Sequence, residues 1–362
     1  MDDGERGPDH RAPVDDHDLV DRALVLVRDL VHSESDDEYW SVVHELNRRG
    51  TQAIFDQVAV LVEAEEPAAR RLACDVLGQL GYEHGRPFAS ESFRLLARLC
   101  ADSDEAVLDS AIFAMGHLGL AEAAPILVAQ ARNADADVRY SVAWSLPSVL
   151  GHEWIDADHP GVAALMALTT DEDARVRDWA TFGLGSQLKV DGSGVRACLY
   201  DRVDDSHDDT RSEALVGLAR RREREVVHLV RAALEADAVG RMAMEAAALL
   251  GDGSLADPLE ALAEWWDLDP DLLATARRQC DPAAIDCSAA LVKSLVDVAA
   301  LNHLPLAVSS ELLPDGPTSE ATVRVAGTDG EWGLEHLMHR ADGSADAAVR
   351  LVEADLLAVG RS

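Results

Sequence analysis

The ten residues Val176–Gly185, VRDWATFGLG, decide how this chain is read. A branched or charged start gives way to small and apolar residues and closes on Leu-Gly. Weakened copies of the closing half recur as ACDVLG, AIFAMG, VAWSLP, ALVGLA and AAALLG. Aligned on the final small residue, the anchors are Asn47, Gly78, Gly116, Pro147, Gly185, Ala219 and Gly251, spaced 31 to 38 residues apart. In this alignment Val176, Ala180, Leu184 and Gly185 are repeat positions that pack, whereas Asp178 and Trp179 are not explained by the repeat.

Working outward, a second apolar stripe lies between anchors, as in Phe93, Leu95, Leu96 and Leu99, or Ile126, Leu127 and Ala131. Several of these stripes follow a proline (Pro87, Pro125, Pro160, Pro258), a residue suited to a helix start. Acidic turns then lead into each anchored helix: DSDEAV from Asp102, DADV from Asp135, DEDARV from Asp171 and DSHDDT from Asp205. Their Asp and Ser side chains suit helix N-caps and the positive end of the helix dipole. Two helices per 31 to 38 residues predict an α-solenoid, because one helical hairpin cannot bury both of its apolar faces and a stack can. The Arg after Val or Thr (Arg139, Arg177, Arg211) recurs at a constant distance from the turn Asp residues, which predicts a charge ladder along the stack.

These residues resemble HEAT repeats, particularly the short bacterial kind first associated with phycobilin lyases. The resemblance covers about Asp36 to Cys287. It is strongest over Asp135–Ala219 and weaker at Leu108-Asp109, where the Arg is missing. The expected fold is all-α: about six or seven HEAT-like hairpins with a small α+β segment at the C-terminus. The expected organisation is a disordered acidic tail over 1–18, an N-terminal helix over 19–34, the solenoid over 35–287 and an α+β cap over 288–362. In the cap, Leu304–Leu313 and Glu320–Ala326 read as strands, and Ala289–Ala300 and Ala347–Val359 as helices.

Composition narrows the function. A formal charge of −35 with 67 acidic against 32 basic residues speaks against nucleic-acid binding, which needs Lys and Arg to neutralise phosphate. It equally disfavours anionic membranes. Lysine occurs only at positions 189 and 293, so Arg supplies nearly all the positive charge. Solubility, salt adaptation and a cationic partner each account for such acidity. The five cysteines lack CxxC spacing, so neither a zinc site nor a redox pair is expected. No signal sequence or transmembrane stretch is read, and a reduced, cytoplasmic, monomeric protein without cofactor or metal is expected.

Two surfaces are candidates for binding a protein or peptide partner. In HEAT arrays the second helices line the concave face, which here carries Arg70, Arg71, Asp109, Tyr140, Trp144, Arg177, Asp178, Trp179, Arg211, Glu213, Arg241 and Glu245. Trp, Tyr and Arg are the residue types that dominate interface energetics. The other is the loop edge, where Gln79–Pro87, Gly151–Pro160 and Gly185–Val195 are long connections bearing Tyr82, His84, Trp154 and His159. From these surfaces the expected partner contacts are Arg177, Asp178, Trp179, Tyr140, Trp144, Arg211, Glu213, Trp154, Tyr82 and His84.

Enzymatic alternatives follow from the resemblance. It implies a tetrapyrrole (phycobilin) lyase or chaperone-like activity as the runner-up and, further off, a DNA-lesion glycosylase. A metal-dependent hydroxylase resembling deoxyhypusine hydroxylase would need His-Glu early in the second helices. This chain has His44-Glu45 and His152-Glu153, but the matching positions hold Arg71-Leu72, Asp109-Ser110, Tyr140-Ser141, Asp178-Trp179 and Ser212-Glu213. The loop GHEWIDADHP at Gly151–Pro160 gathers two imidazoles and three carboxylates without a recognised ligand spacing.

Overall fold

The computed structural model describes residues 15–29, 37–264 and 268–282, and residues 292–359 except 294, 298, 301–303, 311–320, 327, 329–330 and 342–343. The chain divides into two compact units, Met1–Gly183 and Leu184–Ser362. The boundary expected at residue 288 and most of the expected tail lie outside the described residues.

The first unit comprises α1 (Asp16–Asp29), α2 (Asp37–Arg49), α3 (Gln52–Leu61), α4 (Pro67–Leu77), α5 (Ala89–Leu99), α6 (Glu105–Leu118), α7 (Ala124–Gln130), α8 (Ala136–Leu150), α9 (Pro160–Leu168) and α10 (Ala174–Phe182). Helix α1 opens at Asp16, inside the stretch expected to be tail. Arg49 and Thr51 hold the Asp16 carboxylate there, at 2.9 and 2.7 Å. From α3 onward each odd helix packs on the even helix that follows it, and the even helices pack on one another in succession. Leu72, Leu96, Ile112, Met115, Leu127, Leu146 and Leu165 are fully buried between them.

Three of the four acidic turns cap their helices with Asp as the sequence predicts, and in the fourth His207 takes the N-cap position. Asp104, Asp135 and Asp173 are the N-caps of α6, α8 and α10, each accepting from a backbone N–H in the first turn. The ladder is present in part, and it begins two repeats earlier than expected. Arg70 pairs with Asp102 at 2.7 and 2.9 Å and Arg139 with Asp171 at 2.7 and 2.9 Å, each guanidinium also donating to two carbonyls of its own turn. Where Leu108 replaces the Arg, the next turn carries Asn133 instead of Asp, so no carboxylate is left without its cation. Close approach of even helices explains the small anchors: a Cβ on Gly78 would lie 2.8 Å from the Ala114 Cα, and one on Gly116 2.9 Å from the Ser145 Cα. Pro147 stands at the equivalent anchor inside α8, which runs three residues beyond it.

The second unit contains α11 (Ser193–Tyr200), α12 (Asp208–Arg220), α13 (Val227–Leu234), α14 (Arg241–Leu250), α15 (Ala256–Ala261) and α16 (Pro270–Gln279), paired in the same way, with α12, α14 and α16 packed in succession. The chain enters it through a π-helical turn at Gly183–Gln187, whose widened backbone loosens the usual carbonyl pairing. Arg221, 5% exposed, supplies the missing donors: its guanidinium reaches the carbonyls of Leu184, Val190 and Gly217 at 2.7 Å and of Gly185 at 3.2 Å. Burial pulls this group down to about 10.

Past residue 290 the chain forms the expected α+β segment. Strands β1 (Leu306–Ser310), β2 (Ala321–Val325) and β3 (Glu331–Gly333) make an antiparallel sheet of order β1-β2-β3, with Val308 opposite Val323 and Val323 opposite Trp332. Helices α17 (Leu334–Arg340) and α18 (Ala345–Val359) complete it. Val323, Val325, Leu337, Ala348, Val349 and Val352 form its core. Strand β3 was not expected: it is three residues long, too short for alternation to register. The turn read at Asp315-Gly316-Pro317 lies outside the described residues.

Candidate functional site

The first unit carries a ladder of rings across three successive even helices. Repeat spacing puts Phe113 of α6, Trp144 of α8 and Phe182 of α10 at the same register, three residues before their anchors. Phe113 stacks on Trp144 with centroids 4.4 Å apart, and His117 meets the edge of Trp144 at 4.9 Å. Tyr140 and Trp144 lie 6.2 and 6.4 Å from Trp179, which is 5.7 Å from Phe182. All six rings are half-buried, so each offers surface to solvent. Arg175 sits over Tyr140 at 5.6 Å from the ring centroid and pairs with Asp137 at 3.0 Å. A guanidinium held between a ring and a carboxylate is thus already part of this surface.

Where α2, α4 and α6 meet, the face sinks into a cavity of about 210 Å³ lined in part by Trp40, Arg71, Asp75, Asp109, Phe113 and His117. Trp40 is 44% exposed at its rim. Asp75 stands at the ladder register on α4, where the next helices carry rings. Burial pushes its carboxyl up to about 6, against the Tyr39 hydroxyl, which donates to it at 2.5 Å, and the Arg71 charge. Asp109 is raised for the same first reason, although Ser141 donates to it and Arg71 is near. The Arg71 charge thus bears on both carboxylates, and its Nε is buried without a hydrogen-bond partner among the described residues. Burial, then the neighbouring Arg86 charge, holds His117 below its ordinary value.

Of the expected contacts, Tyr140, Trp144 and Trp179 come together in the ladder, and Asp178 is half-buried on the same helix as Trp179. Arg177 is engaged in its own turn, donating to the carbonyls of Asp171 and Glu172 at 2.9 and 3.2 Å. In the second unit Arg211 likewise donates to the Asp205 carbonyl and pairs with Asp208 at 2.6 Å, while Glu213 is 9% exposed, 3.4 Å from the Ser186 hydroxyl. On the loops, Trp154 is 52% exposed and His84 is exposed, whereas the Tyr82 hydroxyl lies 3.2 Å from His44. His159 accepts from the Gly161 N–H as the N-cap of α9. Among the described residues no group of three or more His, Cys, Asp or Glu side chains is placed to hold a metal, and no helix is long and apolar enough to cross a membrane.

Sequence reasoning missed Asp75, Trp40, Phe113 and His117 as parts of a site. Asp75 was hidden inside ACDVLG and read as repeat. Its signal was a charge at a position where the neighbouring copies carry Phe or Trp.

Comparison with known proteins agrees with the repeat reading. A family model described as HEAT repeats matches residues 58–147 and 90–185. Protein YibA of Escherichia coli K12 is 29% identical over 119 residues, covering 33% of this chain and 42% of YibA, and YibA of E. coli O157:H7 matches equally. The sequence match thus spans less than half of these curated relatives. The X-ray structure of E. coli YibA aligns with a TM-score of 0.56 at 21% identity, over 75% of this chain and 98% of that one, a likeness of fold. The complex of CpcE and CpcF of phycocyanin lyase from Nostoc aligns with a TM-score of 0.39 at 16% identity, over 77% of this chain and 98% of that one.

Proposed function

We propose that this chain, a HEAT-repeat protein, is an interaction scaffold that binds a segment of a protein partner on the even-helix face of its first unit. The observation that carries this reading is the ring ladder from Phe113 to Phe182. The core of the stack is filled by Leu, Val, Ile and Ala, so it does not require six half-buried rings on one face. Tyr and Trp in such positions supply large contact area at low entropic cost. The helices beneath them are braced by the Arg70–Asp102 and Arg139–Asp171 pairs, so the surface is preorganised.

The test is capture with crosslinking from the native cell, comparing wild type with the double substitution Trp144→Ala, Trp179→Ala. The expected result is a specific crosslinked partner that the double variant loses while its helical circular dichroism is kept. A folded double variant that captures the same partner equally well would sink the reading. Charge reversal at Arg177 is a poor probe, because its guanidinium holds turn carbonyls.

A further inference from the structure

We propose that the cavity between α2, α4 and α6 receives the guanidinium or ammonium of a basic side chain carried by an extended segment of that partner. The proposal rests on the scaffold reading and names the chemistry at one end of the same face. Phe113 and His117 belong both to the cavity wall and to the ring ladder, so a segment lying along the ladder passes directly over the opening.

Charge decides the occupant. Among the charged residues that line the cavity, Asp75 and Asp109 bring two carboxylates and Arg71 one guanidinium. One negative charge is left over, matched by a single incoming cation. Among the described residues Tyr39 donates to Asp75 and Ser141 to Asp109, and an ionised carboxylate accepts several bonds. The walls favour the same ligand. Trp40 and Phe113 line it, and aromatic rings attract a cation most strongly where water is excluded. One repeat further on, Arg175 over Tyr140 beside Asp137 shows this chain pairing a guanidinium with a ring and a carboxylate. The opening of about 210 Å³ admits a long side chain. The net charge of −35 draws basic segments towards the surface from a distance.

Proton linkage follows from the groups around Asp75. Tyr39 of α2 and Cys74 of α4 are pushed up by burial and stay neutral near pH 7, and His117 of α6 is held below its ordinary value and is neutral there too. Arg71 is the neighbouring guanidinium, and Asp109 is the second carboxylate. A cation favours ionised Asp75, so affinity falls as pH drops through about 6.

The experiment is calorimetric titration of the full chain with an acetylated, amidated peptide of alternating Gly and Arg, against the same peptide with citrulline for Arg, and against agmatine. The expected result is binding of the Arg peptide, weakened about tenfold or more by Asp109→Asn and by Trp40→Ala. Asp75→Asn is expected to abolish the loss of affinity between pH 7.5 and 5.5. General attraction to an acidic chain is insensitive to Asp109→Asn, so unchanged affinity in both Asp109→Asn and Trp40→Ala overturns the proposal. Equal binding of the citrulline peptide overturns it as well, and agmatine binding as tightly as the peptide overturns the assignment to a segment. Failure of the Arg peptide to bind, with partner capture still dependent on Trp144 and Trp179, removes the cavity and leaves the scaffold standing.

Discussion

Asp75 shows how one residue departs from its repeat with a measurable consequence. Its equivalents in α6, α8 and α10 are Phe113, Trp144 and Phe182, which pack against nearby rings at no electrostatic cost. A carboxyl in that position loses hydration, and its value climbs from 3.8 to about 6. Because the folded value lies above the unfolded one, the fold binds the proton more tightly. The stability linked to that proton is fully present below about pH 4 and is lost as pH rises through about 6. Asp75→Asn keeps an acceptor for Tyr39 and removes the charge. It should therefore be more stable than wild type at pH 7.5 by on the order of 2 kcal/mol and no more stable at pH 4. Urea unfolding at the two pH values checks this, and an equal difference at both would show that the carboxyl is not desolvated. Asp102 behaves in the opposite sense: its hydrogen bond from Arg70 lowers it, so the ladder's contribution survives to mild acid and fails only as pH falls through that lowered value.

Among the helices, legibility depended on how local the cause was. The N-caps were readable because an Asp in the turn reaches a backbone N–H two or three residues away. The ladder was partly readable, since constant spacing along the sequence becomes constant height in a stack, but the pairing of Arg70 and Arg139 with the next turn's Asp needs the packed repeats. The π turn at Gly183–Gln187 was not readable. Its carbonyls are satisfied by Arg221, more than thirty residues further on, and the sequence shows only another Arg in a polar run. Helix spacing itself is testable at Gly116, which lies against Ser145, whose hydroxyl donates to the Ile112 carbonyl at 3.1 Å. Gly116→Ala forces α6 and α8 apart and should cost about 1–3 kcal/mol, even after the better helix propensity of Ala. A thermal melt equal to wild type would mean the stack yields freely at that point.

For the molecule as a whole, 67 acidic side chains against 32 basic ones leave strong self-repulsion that exposed ion pairs, worth little each, do not offset. The melting temperature should therefore rise as sodium chloride increases from 0.05 to 1 M, because screening relieves repulsion between exposed carboxylates. A melting temperature that falls with salt would show that the ion-pair ladder outweighs it. The class of fold was legible from the chain alone: hydrophobic period, turn chemistry and the 31-to-38-residue repeat are local and recurrent, and a stack of near-identical hairpins has few other ways to bury its faces. The ladder residues Tyr140, Trp144 and Trp179 were legible for the same reason, as departures from a known register. The cavity was not. Trp40, Asp75 and Asp109 come from three repeats, and nothing in their spacing tells which side chains meet or how far each is stripped of water. That depends on the packing of α2, α4 and α6, because desolvation and Coulomb attraction act through space and not along the sequence.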